Sequence, residues 1–202
     1  HKEGYGISLI SVDWMKELKI DLVIALDCGI RDVNAAKKIK ENNIDLIICD
    51  HHNIGDELPD SFSILNPKQL DCNYPFKELC GCGIGFKFIQ AYVKHENLNI
   101  DLDEFIQFAA VATAADVVPL KEENRWLLKL GVDILNNSPL LCFQDMFFNA
   151  KRQKIIDSSD LVFGIAPRIN AAGRLSSALK ATEMLMDNDL KNLKPKVQFI
   201  EK

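Results

Sequence analysis

The sequence has no long hydrophobic run: nothing in its 202 residues approaches the roughly 20 consecutive apolar residues of a membrane helix. Its first stretch, HKEGYGISLI, lacks the charged and apolar regions of a secretory signal, so a cytoplasmic chain with no membrane partner is expected. Internal repeats and low-complexity segments are also missing. Zinc-type cysteine spacing is missing too. Cys80-x-Cys82, with Cys72 nearby, is a poor match to common zinc ligands, and six cysteines without an export signal are expected as reduced thiols, several of them buried. With 48% hydrophobic and 26% charged residues, disorder is not the default reading and a substantial core can form. The chain opens on His1 rather than Met, as a processed chain or a fragment would.

Charge of one sign is scarce where the other collects. The net charge is -5, yet residues 151 to 180 carry Lys151, Arg152, Lys154, Arg168, Arg174 and Lys180 against only Asp157 and Asp160. An acidic body beside a basic strip suits cations near one surface and a polyanion along another, and a plain solvated basic face fits the strip as well.

Residues 21 to 27, DLVIALD, form a short apolar run closed by an acid, as a parallel strand buried on both faces would. RDVNAAKKIKENN then has helical spacing with a lysine-rich outer face, and IDLIICD repeats the first run almost residue for residue. Strand, helix and strand make a right-handed βαβ unit with parallel strands. SFSILNP reads as a third short strand stopped by Pro67, followed by helices over IGFKFIQAYVKHE and DEFIQFAAVATAA, with Pro119 ending the second just after Asp116.

From Glu122 onward the pattern is helical, with Trp126, Phe143, Met146, Phe147 and Phe148 expected in the core. SSDLVFGIAPRINAAGRLSSALKATEMLM holds a loop between helices, with Pro167 and Gly173 as breakers and Ser176 or Ser177 as a helix cap. The expected fold class is α/β, Rossmann-like, with a mainly parallel sheet flanked by helices over residues 1–120. A helical extension carrying the basic PRINAAGR loop follows over 121–202.

Ligands of open α/β sheets bind beyond the carboxyl ends of the strands. Asp27 ends the first strand and Asp50 the second, so both should meet His51 and His52 on one rim, with Asp116 adding a third position. Polar groups that end buried runs are costly unless paired. A solvated turn would explain CDHHNIGDELPD blandly. A mixed oxygen and nitrogen donor set without thiolate instead suits Mn²⁺ or a similar divalent ion better than structural zinc.

The segments ALDCGI, CDHH, NPKQLDCNYPFKELCGCGIGFKF, VATAADVVPL and APRINAAGRL together resemble the RecJ-type single-strand-specific DNA exonucleases of the DHH phosphoesterase family, over about Gly4 to Met186. The resemblance implies a two-metal phosphodiesterase using Mn²⁺ or Mg²⁺. It casts Asp27 as the bridging carboxylate, His51 and Asp116 as terminal metal ligands, and His52 as the phosphate-facing histidine, with Asp50 orienting His51 and its loop. It also implies that Arg168 and Arg174 contact single-stranded DNA or its 5′ phosphate.

The implied activity is 5′-to-3′ exonucleolytic release of nucleotides in DNA repair and recombination, with repair or replication proteins as candidate partners. The family's Asp-x-Asp-Gly element does not occur in this sequence, since Asp101-x-Asp103 is followed by Glu104 and lies elsewhere. The chain therefore reads as a middle fragment with an incomplete metal cage, inactive alone. Two rivals stay open: a DHH phosphoesterase for short oligonucleotides or cyclic dinucleotides, and a non-catalytic DNA-binding or replication scaffold of the same fold.

Overall fold

The computed structural model describes residues 5–149, 155–175 and 178–200. The chain forms two compact units, residues 1–100 and 101–202.

The first unit runs α1 (Leu9–Glu17), β1 (Leu22–Leu26), α2 (Val33–Glu41), β2 (Asp45–Cys49), β3 (Ser63–Leu65) and α3 (Gly81–His95). Its sheet has the order β1-β2-β3 with both pairings parallel, and Leu26 stands opposite Cys49 in register. The expected βαβ unit is present. Ala35, Ala36 and Ile39 turn the inner face of α2 to the sheet while Lys37 and Lys40 stay outside. The helix ends where Asn43 takes a left-handed φ of 57°, a conformation Asn tolerates better than most residues. Val12, Ala25, Ala36, Ile39, Leu46 and Ile48 form the core between sheet and helices. Each large aliphatic side chain fully buried there contributes about 1.5–3 kcal/mol.

One expectation for the strands fails. β1 is not buried on both faces: Leu22, Ile24 and Leu26 are 47%, 43% and 58% exposed. β1 lies at an edge of the described sheet, so only its Ala25 face is covered by the helical core, whereas central β2 buries Leu46, Ile48 and Cys49. An apolar run alone does not distinguish an edge strand from a central one.

The second unit is helical: α4 (Asp103–Ala115), α5 (Glu122–Asn137), α6 (Leu141–Asn149), α7 (Ser158–Asp160), α8 (Ala166–Leu175), α9 (Ala178–Leu185) and α10 (Leu190–Ile200). Alanine-rich α4 lies close against α5, and a Cβ at Gly131 would come 2.2 Å from that of Ala110. Buried Gln107 ties the following turn, donating to the Ser138 carbonyl at 3.2 Å and accepting from the Leu140 N–H at 2.9 Å. Phe143 and Met146 are core residues, as expected. Trp126 is not: it is 61% exposed, because Leu127, Leu128, Gly131 and Leu135 form the inward face of α5 and Trp126 projects from the other. The Phe147 and Phe148 side chains lie outside the described residues.

The segment expected as a loop before residue 176 is helical instead. Asp157 and Asp160 form a reciprocal cap at its start, a π-helical turn spans Leu161–Ile165, and α8 continues through Pro167 and Gly173. Pro167 sits in the first turn of α8, directly after the widened turn, where a missing N–H and a bulky ring are tolerated. Ser176 and Ser177 lie outside the described residues. Among the described residues, no helix is long and apolar enough to cross a membrane.

Candidate metal centre

The site of the first unit is built where β1 and β2 end. Asp27 extends the ladder by donating its N–H to the Cys49 carbonyl at 2.9 Å, and Asp50 does the same to Leu65 at 3.1 Å. The two acids are thus neighbours by strand register. Asp27 then leaves the strand with a left-handed φ of 62°, and Gly29 follows at 104°. A non-glycine residue held there marks stored strain of the kind functional sites carry. The turn lifts the Asp27 carboxylate off the sheet end into solvent, and Oδ1 stands 3.2 Å from Nε2 of His51.

Asp50 does the opposite. Its side chain is buried, and Oδ1 accepts from the His51 N–H at 2.8 Å, the His52 N–H at 3.1 Å and Nδ1 of His52 at 2.7 Å, while Oδ2 accepts from the Ile30 N–H at 3.0 Å. Burial pushes the carboxyl pKa up, but the His52 ring and the backbone N–H groups of Ile30 and His52 outweigh it and hold the group below the usual range. Asp50 therefore stays ionised and orients the His52 ring through Nδ1, while it holds the backbone N–H of His51. With Nδ1–H donated to Asp50, Nε2 of His52 points free of that bond, able to ligate a cation through its lone pair or, when it carries a proton, to donate to a phosphate oxygen. Asn66 locks the same loop from β3 by donating to the His52 carbonyl at 2.9 Å.

Asp27, His51 and His52 each offer one ligand atom, and the three atoms lie within 4.8 Å of one another. One carboxylate oxygen and two imidazole nitrogens at that separation fit a single divalent ion of the manganese type. Asp27 and His52 line a cavity of about 350 Å³ together with Cys28, Gly29, Arg31 and Asp50, among others. Burial, then Asp50, Asp32 and Asp27, raise the Cys28 thiol to about 11, which keeps it protonated at neutral pH.

Three residues of this site escaped the sequence reading. Gly81 opens α3 so close to Asp27 that a Cβ there would lie 2.1 Å from Oδ1. Asn66 is held at 2% exposure by a β3 turn that only its neighbour Pro67 signalled. Arg31 sits in the loop after β1, where rim residues of such sheets gather.

The remaining expected residues belong to the second unit. Asp116 follows α4 as its C-terminal cap, with its Oδ1 accepting from the Val117 N–H at 2.8 Å. Arg168 is half-buried on α8 and donates through Nη1 to the Met146 carbonyl at 2.8 Å. The backbone of Arg174 continues α8, and its side chain lies outside the described residues.

Residues 5–113, just over half of the chain, match the DHH family, N-terminal domain. The chain belongs to the DHH family. Among curated proteins, this DHH chain is 40% identical over 189 residues to the single-stranded-DNA-specific exonuclease RecJ of Bacillus subtilis, covering 93% of the chain and 23% of that protein. It is 32% identical over 202 residues to RecJ of Escherichia coli, covering 94% of the chain and 35% of that protein. The DHH chain thus spans about a quarter to a third of these relatives' lengths.

Among solved structures, exonuclease RecJ bound to manganese superposes with a TM-score of 0.86 at 31% identity, covering 99% of this chain and 50% of that one. RecJ of Thermus thermophilus in complex with Mn²⁺ superposes with a TM-score of 0.83 at 29% identity, covering 95% and 28%. These likenesses agree with the parallel sheet and flanking helices of the expected fold class.

Proposed function

We propose that this chain is part of a divalent-metal-dependent phosphodiesterase of the RecJ type, a single-stranded-DNA-specific exonuclease that works 5′ to 3′ in DNA repair and recombination. The observation that carries the proposal is the convergence of Asp27, His51 and His52 at adjacent strand ends, in a chain whose relatives by sequence and structure are exonucleases of that kind. Residues 1–120 supply the metal-binding part and residues 121–202 a helical connector toward the strand.

Mn²⁺ or Mg²⁺ would supply Lewis-acid stabilisation of the phosphate oxygens and a water of lowered pKa. Asp27 and His51 would hold the ion, and the resemblance to RecJ-type exonucleases adds Asp116 to the ligand set. In this reading His52 is the phosphate-facing histidine and not a ligand: its ring is fixed by Asp50, and Nε2, when it carries a proton, would donate to a phosphate oxygen with little rotational loss. Water adds to phosphorus as the bond to the bridging oxygen breaks, and the leaving oxygen takes up a proton as the nucleotide departs. Arg168 and Arg174 contact the incoming strand.

The test uses the full-length protein with Mn²⁺. Asp27→Ala and His51→Ala should abolish nucleotide release from single-stranded DNA while circular dichroism and melting stay those of a folded protein. Near-wild-type release by either variant refutes the ligand assignment. Hydrolysis confined to dinucleotides, with long strands left intact, would instead favour the short-oligonucleotide reading.

A further inference from the structure

Among the described residues, the cavity at the strand ends holds one cationic side chain, Arg31, that the ligand set does not use. Arg31 follows Asp27 by four residues, in a loop anchored by the Ile30 N–H on Asp50 Oδ2 at 3.0 Å and by the Asp32 N–H on the Gly29 carbonyl at 3.0 Å. Its Nε donates to the Asn53 carbonyl at 2.9 Å, across to the loop after β2. The side chain thus bridges two strand-end loops at the mouth of the cavity it shares with Asp27, Asp50 and His52.

A guanidinium carries five N–H donors, of which this bond uses one. Three carboxylates line the same cavity, and an arginine beside them would ordinarily pair with one. Each is engaged elsewhere: Asp50 by Ile30, His51 and His52, Asp32 by the Ile7 N–H at 2.6 Å, and Asp27 by His51. Among the described residues, no carboxylate pairs with Arg31. With Nε fixed, the terminal nitrogens form a fork whose geometry matches two phosphate oxygens. The acidic wall of the cavity repels a phosphate, so a cation mounted at its mouth has a clear electrostatic role.

We propose that Arg31 is a substrate-positioning residue that grips a backbone phosphate of the single strand entering the metal cavity. The proposal rests on the nuclease reading above and deepens it. It differs from a structural clip between two loops, which would act through loop order and metal affinity rather than through substrate charge.

The experiment compares wild type, Arg31→Ala and Arg31→Lys in the full-length Mn²⁺-loaded protein. The substrates are single-stranded oligonucleotides bearing one neutral methylphosphonate at successive positions. Losing a charge-assisted fork raises KM by about 10- to 100-fold in Arg31→Ala. Mn²⁺ affinity stays at the wild-type value, and the slope of binding against log salt falls by about 1. Arg31→Lys restores the salt slope and only part of the KM. Neutralising the gripped phosphate weakens wild type and leaves Arg31→Ala unaffected.

A wild-type KM in Arg31→Ala, a loss of Mn²⁺ affinity, or additive effects at every methylphosphonate position would each overturn the proposal while leaving the nuclease reading intact. If the wild type releases no nucleotides from single strands, the nuclease reading falls and the role of Arg31 falls with it.

Discussion

Gly81→Ala should dismantle the metal centre without touching any ligand. The added Cβ would lie 2.1 Å from Asp27 Oδ1, 2.5 Å from Cγ and 2.6 Å from Cβ. Because the Asp27 Cβ itself obstructs, rotating the carboxylate does not relieve the overlap. The Asp27 backbone is held by its bond to the Cys49 carbonyl and by its left-handed conformation, so either Asp27 or the start of α3 must move. Overpacking of this kind costs about 1–3 kcal/mol. Disturbing a group that orients a ligand typically lowers metal affinity by about 10- to 100-fold.

At free Mn²⁺ equal to about 100 times the wild-type Kd, binding adds about 2.7 kcal/mol of stability, and a 100-fold weaker site retains only about 0.4 kcal/mol. In the full-length protein that contrast is a Tm rise several times larger in wild type than in Gly81→Ala. Melting of the full-length protein with and without Mn²⁺, alongside calorimetric titration, reads both quantities. A Gly81→Ala protein with wild-type Mn²⁺ affinity would refute the claim that Asp27 must stand where it does. A wild type that shows no Mn²⁺-dependent rise would refute the metal centre.

Asp50 ties stability to pH. Its folded pKa lies below the ordinary carboxylate value, so its contribution is complete above about pH 4–5 and is lost as pH falls through the folded pKa. Melting curves of wild type should therefore fall more steeply on acidification than those of Asp50→Asn, and parallel curves would refute the ionised Asp50 network. Gly131→Ala should destabilise by about 1–2 kcal/mol, since overpacking against Ala110 outweighs the gain in helix propensity. Gly164→Ala, where a Cβ meets nothing within 4 Å, should stabilise by about 0.5–1 kcal/mol. Urea denaturation of the pair checks the opposite signs. Phe143→Ala empties a fully buried site beside Phe108, whose ring centre lies 5.2 Å away, and should cost about 3–5 kcal/mol by the same measurement.

Proline and glycine were the weak signals in this chain. In SSDLVFGIAPRINAAGR they read as breakers, yet a capped π-turn admits Pro167 to the first turn of a helix that carries Gly173 inside it. At Gly81 the same residue type marks something unrelated to turns, a close approach to a carboxylate more than fifty positions earlier in the chain. Local propensity has no access to either outcome, because both depend on what lies across the fold.

Residue order alone determined the βαβ unit. The repeated apolar runs closed by Asp27 and Asp50, with the amphipathic ENN-terminated helix between them, leave one right-handed parallel arrangement, and strand ends in register must bring Asp27 beside the DHH tripeptide. The tertiary structure decided which face and which ring. It left the Leu22, Ile24 and Leu26 face of β1 uncovered in the described sheet, and it gave the buried carboxylate of Asp50 a bond to the ring of His52. It also set Arg31 across the mouth of the cavity. Periodicity records which residues avoid water, but edge position, hydrogen-bond partner and side-chain reach follow from neighbours distant in sequence.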